Sequence, residues 1–392
     1  MRVLELALTY RPTMGGVPYH VESLTRGLRA RGHEVDVLTS TPGPAEPGVT
    51  RVSGKHWAIA SAARRAVKSG AYDIVHAHDP YAAFLAARAS IRGDGASVAS
   101  IHDLWPACAR GTHSKTTIGS SECDGRSPRA CSECIGAPKW RVRGLDAYHD
   151  YAFRHLTSVV AVSEYVKRVL SPFHDATKVR VIHNWVDVDR FRRDEAGARR
   201  VRDAWGIGDR PFLFFMSRLI PEKGVQHLLG AMPALLEAEP NLVLVVGSKG
   251  WYKLPLELQA KALDLGEAVR FPGAIDEDDI TGAYSACDLV VYPAVASETF
   301  SFVPLEGMSC GAAVLASTHG GTPEAMVHGE SGWLVPPGSA EALAEAIPRL
   351  LRDAPLRARL GVNAEKHVRA NFALESKITE YERHFETLLV CR

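Results

Sequence analysis

Leu289-Val290-Val291-Tyr292-Pro293-Ala294 is an apolar run of strand length, and a few residues on come Ser297-Glu298-Thr299-Phe300-Ser301-Phe302-Val303-Pro304-Leu305-Glu306, a turn that opens a helix. A short continuous apolar run bounded by turn residues reads as a strand buried on both faces, as in a parallel sheet covered by its crossover helices. Glu298 then falls in the loop after the strand and Glu306 in the helix that follows. The same rhythm spreads outward: Phe212 to Arg218, Leu242 to Gly247 and Val269 to Gly273 before it, Ala313 to Ser317 and Trp333 to Pro337 after it. The first half repeats it at Val3 to Leu8, Val35 to Ser40, Ile74 to His78, Val98 to Asp103, Ser158 to Ser163 and Val179 to Asn184. Two α/β halves, each a doubly wound parallel sheet of Rossmann-like type, are the expected fold.

Length agrees, since 392 residues exceed one ordinary core. The boundary is placed near Val186, giving a first domain of 1–186 and a second of 187–372, with 187–208 as a polar, exposed connection anchored by Phe191. The tail from Asp353 is helical in pattern, with Phe372, Ile378, Tyr381, Phe385 and Leu388 as its apolar stripe. Residues 373–392 are expected to form a C-terminal helix packing back towards the first domain. A net charge of +1 argues against nucleic acid as a partner. Met1 to Tyr10, interrupted by Glu5, reads as a buried strand and not as a signal or a membrane span. Seven cysteines without a secretion signal point to a reducing, cytoplasmic compartment and no disulfide framework.

Three segments carry ligand chemistry. Met14-Gly15-Gly16-Val17 stands between the first strand and a helix, where Gly15 and Gly16 let backbone N–H groups approach an anion. Arg218 and Glu222-Lys223-Gly224 follow the strand at Phe212; a planar guanidinium and a compact ammonium at a helix start suit a diphosphate. Glu298 and Glu306 are anions able to accept hydrogen bonds from vicinal hydroxyls.

With these residues in view, the chain resembles the retaining GT-B glycosyltransferases of family 4. The resemblance rests on Met14 to Val17, Arg31-Gly32-His33-Glu34-Val35, Asp73-Ile74-Val75-His76-Ala77-His78, Ile101-His102-Asp103, Val160-Ala161-Val162-Ser163, Arg218, Glu222 to Gly224 and the Glu298 to Glu306 pair. It implies two facing Rossmann-like domains with an interdomain cleft, a nucleoside-diphosphate sugar as donor, and transfer with retention to a small soluble acceptor. Arg218 and Lys223 would grip the diphosphate and Glu306 the ribose. Glu298 would contact the transferred sugar, the backbone of Ser301, Phe302 and Val303 would approach the donor, and Gly15 and Gly16 would close over the phosphates. His102 would touch sugar or acceptor, as a contact or a general base; a histidine ending a buried strand also serves as a hydrogen-bonded core residue. No Asp-x-Asp stands where a divalent cation would bridge the phosphates, so no catalytic metal is expected.

Retention leaves same-face attack, with the leaving phosphate taking the acceptor proton, beside a covalent mechanism through Glu298. Ser301, Trp185 and Lys249 depart from the family pattern. An epimerase of the same fold and a non-catalytic nucleotide-sugar-binding protein are the alternatives. The sequence gives no signal for oligomeric state or for an integral membrane segment.

The stretch 105–139 fits neither half. It holds Cys108, Cys123, Cys131 and Cys134 with few aliphatic residues, so a structural zinc, or less readily an iron–sulfur cluster, is the expected staple. A metal-stapled acceptor lid bearing Arg110, His113 and Lys115 would follow.

Overall fold

In the computed structural model, which describes residues 1–53, 56–68, 72–90, 95–109, 111, 123, 126–296 and 298–390, the apolar runs become two wholly parallel sheets. β1 (Arg2–Ala7), β2 (Glu34–Thr39), β3 (Val49–Arg51), β4 (Ile74–Ala77), β5 (Ala96–Ile101), β6 (Ser158–Ala161) and β7 (Val179–Val181) are ordered β3-β2-β1-β4-β5-β6-β7. β8 (Phe212–Met216), β9 (Val243–Gly247), β10 (Val269–Gly273), β11 (Leu289–Tyr292), β12 (Val314–Ser317) and β13 (Trp333–Val335) are ordered β10-β9-β8-β11-β12-β13. The sequence reading missed β3, whose three partly exposed residues at a sheet edge are too short to show a pattern.

The chain divides into two compact units. One holds the first sheet and takes in Leu374 onward; the other is Trp185–Ala373. In the second, Leu213, Phe215, Leu244, Val246 and Leu315 of the sheet are buried with Leu228, Met232 and Ile347 of the covering helices. Each such side chain withdrawn from water contributes about 1.5–3 kcal/mol before entropy is counted. Trp185, unusual for the family pattern, is fully buried.

Strand order reverses between β1 and β4 in one sheet and between β8 and β11 in the other. Ligands of open α/β sheets bind outside the carboxyl ends of the strands at such reversals. The loops after β1 and β4 in one unit, and those after β8 and β11 in the other, are therefore the candidate ligand edges of their own sheets.

Two expectations for the connecting segments are corrected. Residues 187–208 are not merely an exposed connection: Asp194 caps a helix, Glu195–Ala204, which packs on the helix Glu277–Ala286 with Gly197 against Gly282. The tail is two helices, Ala354–Asn371 and Leu374–Val390. Phe372 sits between them on the second unit, its ring 5.5 Å from that of Phe300, so it leaves the stripe that Ile378, Tyr381 and Phe385 continue in the first. The Arg31-Gly32-His33 motif holds that last helix. Arg31 donates to Thr379 and Glu382 at 2.8 Å each, and His33 Nε2 lies 2.7 Å from Glu382.

Candidate active site

At the reversal in the six-stranded sheet, the chain leaves β8, passes the exposed Arg218 and enters a 3-10 turn, Pro221–Lys223. Gly224, with φ of 75°, begins the helix Val225–Ala238. A Cβ on Gly224 would stand 1.9 Å from the carbonyl oxygen of Pro293, so the turn touches the segment after β11. Val295 N–H donates to the Glu222 carbonyl at 2.9 Å and fastens the two. The neighbouring loop after β9 is tied on by Leu219 N–H to the Lys249 carbonyl at 3.0 Å, leaving the Lys249 side chain exposed.

This fastening brings Lys223 to Glu298. The ammonium donates to Glu298 Oε2 and, at 3.0 Å, to the Tyr292 hydroxyl, which itself donates to Glu298 Oε2 at 2.6 Å. The lysine side chain is 15% exposed and the glutamate 12%, so water screens the pair weakly. Burial opposes the Lys223 charge, yet Glu298 and Tyr292 outweigh it and hold the ammonium above the ordinary lysine value. Burial, then Glu298, pushes the Tyr292 hydroxyl up to about 12, so it stays a neutral donor.

Glu306, on the helix Phe302–Ser309, accepts from the Tyr284 hydroxyl at 2.8 Å. Burial raises its carboxyl above the ordinary value, against the Tyr284 hydrogen bond and the charge of Arg190. The two acids thus differ: Glu298 shares a lysine charge, Glu306 has a neutral donor. Ser301, Phe302 and Val303 form the amino-terminal end of that helix, where backbone N–H groups and the dipole favour an anion. Behind Glu298, Gly321 N–H donates to its carbonyl at 2.7 Å. The sequence reading missed Tyr284, Tyr292 and the Gly320-Gly321 pair, although Gly-Gly after an apolar run was visible.

In the first unit, Gly15 caps the helix Gly16–Ala30, and both glycines are exposed. Leu8 N–H donates to Asp79 Oδ2 at 2.8 Å, joining the loops after β1 and β4. His102, half-buried after β5, has Nε2 3.1 Å from His78 Nδ1 and its ring 4.4 Å from that of His20. Behind them His78 Nε2 lies 2.6 Å and His76 Nδ1 2.9 Å from Glu5 Oε2. Of this cluster the sequence reading singled out His102 alone; the others lie in strands, just after one or in a helix, where a polar residue among apolar ones carries little signal.

Known proteins are similar to this chain over both units. The model of "Glycosyl transferases group 1" matches residues 198–367, and that of "Glycosyltransferase Family 4" matches residues 14–190. The chain belongs to the family 4 glycosyltransferases. It is 28% identical to an uncharacterized glycosyltransferase of Methanocaldococcus jannaschii over 96% of this chain and 95% of that one. A GDP-mannose-dependent phosphatidylinositol monomannoside mannosyltransferase of Mycolicibacterium smegmatis is 31% identical over 52% of this chain and 55% of its own. The crystal structure of Anabaena HepE in complex with UDP-glucose superposes with a TM-score of 0.79 at 21% identity, covering 99% of this chain and all of that one, which establishes the GT-B type of fold.

Among the described residues of this glycosyltransferase, the cysteines do not compose the expected zinc site. Cys108 and Cys131 are buried and Cys134 is exposed. Among the described residues no three of the thiols have sulfurs within 4.8 Å of one another; four sulfurs on a zinc lie about 3.8 Å apart. The described part of 105–139 has another staple. Trp105 is buried against His149 and Phe153, and Arg126 pairs with Asp146 at 3.0 Å and Asp150 at 2.8 Å and donates to the Pro106 carbonyl. Ser127 and Gly136 cap a helix, Pro128–Ile135, that carries Cys131 and Cys134. Arg110, His113 and Lys115 lie outside the described residues. Among the described residues, no helix is long and apolar enough to cross a membrane.

Proposed function

We propose that this glycosyltransferase moves a hexosyl group from a nucleoside-diphosphate sugar to a hydroxyl of a small soluble acceptor in the cytoplasm, with retention and without a catalytic metal. The joining of Lys223, Glu298 and Tyr292 at the sheet reversal carries the reading. A diphosphate arriving there competes with Glu298 for Lys223. Once displaced, the carboxylate is left beside the sugar, where it accepts from hydroxyls. Arg218 and Lys223 then stabilise the charge that builds on the leaving diphosphate, the task a divalent cation performs elsewhere. Glu306 takes the ribose, the amino-terminal end at Ser301, Phe302 and Val303 faces the phosphates, and His102 meets the sugar or the acceptor.

Thermal melts with UDP, GDP, ADP and TDP test the donor site. One nucleotide is expected to raise the midpoint, by a stabilisation of about 2.7 kcal/mol at a hundredfold excess over its dissociation constant. The rise should vanish in Glu306→Ala. A folded protein that answers to none of the four would sink the donor assignment. With the donor known, turnover in EDTA should equal that in magnesium, and the product should keep the anomeric configuration of the donor by NMR; loss in EDTA or an inverted product would refute those parts.

A further inference from the structure

The first unit buries more ionisable groups than one sugar contact requires. Glu5, His20 and His76 are wholly buried and His78 is 2% exposed. They come from separate elements: Glu5 from β1, His76 from β4 and His78 just after it, His102 just after β5, His20 from the helix Gly16–Ala30. From Leu374–Val390 comes Tyr381, whose hydroxyl lies 2.9 Å from Ser100 Oγ, itself 2.8 Å from His76 Nε2.

Hydrogen-bond directions follow from one anchor. A carboxylate has no proton to give, so Glu5 Oε2 accepts from His78 Nε2 at 2.6 Å; His76 Nδ1, 2.9 Å from the same oxygen, is close enough to pair but lacks hydrogen-bond geometry. Burial alone would raise the Glu5 carboxyl, yet the two histidines hold it down to about 2. Burial also brings His78 down to about 4, against the pull of Glu5, and keeps His102 well below the ordinary histidine value. Each of these two rings therefore carries a single proton at neutral pH. With the His78 proton on Nε2, its Nδ1 is a lone pair, and the atom 3.1 Å from it is His102 Nε2. That contact is a hydrogen bond only if His102 holds its proton there.

We propose that Glu5 and His78 are positioning residues for His102: a Glu5–His78–His102 relay of hydrogen bonds fixes the His102 proton on Nε2 and its lone pair on Nδ1, so that the ring meets a hydroxyl only as an acceptor. This rests on the reading that His102 touches sugar or acceptor. The relay resembles the carboxylate–imidazole pairs that set the tautomer of a catalytic histidine, extended by one ring.

Two-bond proton–nitrogen spectra of protein labelled with nitrogen-15 in histidine report the tautomer directly, the His102 signals being those lost in His102→Gln. His78 and His102 are both expected as Nε2–H forms in the unaltered protein. Glu5→Gln should mix the His102 tautomers and lower kcat roughly 10- to 100-fold while KM for the donor stays within about twofold. A His102 protonated on Nδ1 would overturn the relay. So would a stoichiometric metal held by His20, His78 and His102, whose ligand atoms lie within 4.8 Å of one another. The spectrum of the unaltered protein decides even if Glu5→Gln does not fold. Full turnover in His102→Ala, with the Nε2–H spectrum as assigned, would instead remove His102 from the sugar and count against the proposed function alone.

Discussion

Lys223→Ala is expected to lower kcat/KM by about a thousandfold and to weaken the fold by about 2–4 kcal/mol. The first effect follows from its proposed place on the leaving diphosphate, where a fixed cation acts on charge that builds only as the bond breaks. The second follows from what remains. Glu298, 12% exposed, would keep its Tyr292 hydrogen bond but lose the neighbouring charge. Removing one partner of a buried pair costs more than removing both, so Lys223→Met with Glu298→Gln should be less destabilised than the sum of the single changes. Urea midpoints at constant slope measure this. Activity should not recover in the double variant, which separates catalysis from stability.

The pH dependence has a definite sign. The folded-state value of Lys223 lies above its unfolded one, so its contribution is complete below the ordinary lysine value of 10.5 and is lost only as pH climbs through the higher folded value. Between pH 6 and 9 the cost of Lys223→Ala should therefore be flat. A variant retaining kcat/KM within about fivefold would remove Lys223 from the diphosphate.

Twelve of the thirteen strands among the described residues were legible because parallel strands covered on both faces write themselves as continuous apolar runs, and β3, exposed at an edge, does not. Lys223, Glu298 and Glu306 stood out by their joint placement: a surface loop or helix explains any one of them alone, but all fall at the carboxyl edge of one expected sheet. The structure then joined the first two through Tyr292. That tyrosine was invisible as a functional group, since in the sequence it ends an apolar run. Glu5, His20, His76 and His78 were hidden for the same reason: each is one polar residue in a buried element, and only the register of β1, β4 and β5 brings them together. The cysteine reading is not supported among the described residues: it counted aliphatic residues and found no core, whereas the described part of the segment is held by one tryptophan and one arginine with two carboxylates.

Gly320→Ala should cost about 2–4 kcal/mol, a fall in Tm of roughly 5–10 °C, and should lower kcat about a hundredfold although the residue bears no functional group. Its φ is 62°, and a Cβ there would lie 2.0 Å from the carbonyl oxygen of Glu298, 2.9 Å from its carbonyl carbon and 3.0 Å from its nitrogen. All three are backbone atoms, so no rotamer change relieves the clash. The segment bearing Glu298 must move, and with it the hydrogen bond from Gly321 N–H to the same oxygen. Gly329 provides the comparison, because its φ is 74° but nothing lies within 4 Å of a Cβ placed there. Gly329→Ala should carry only the conformational cost of about 1 kcal/mol and leave turnover intact. The difference between the two variants isolates the displacement of Glu298. If Gly320→Ala behaved like Gly329→Ala in both Tm and kcat, the position of the Glu298 backbone would not govern the reaction, and the role assigned to that carboxylate at the sugar would fall with it.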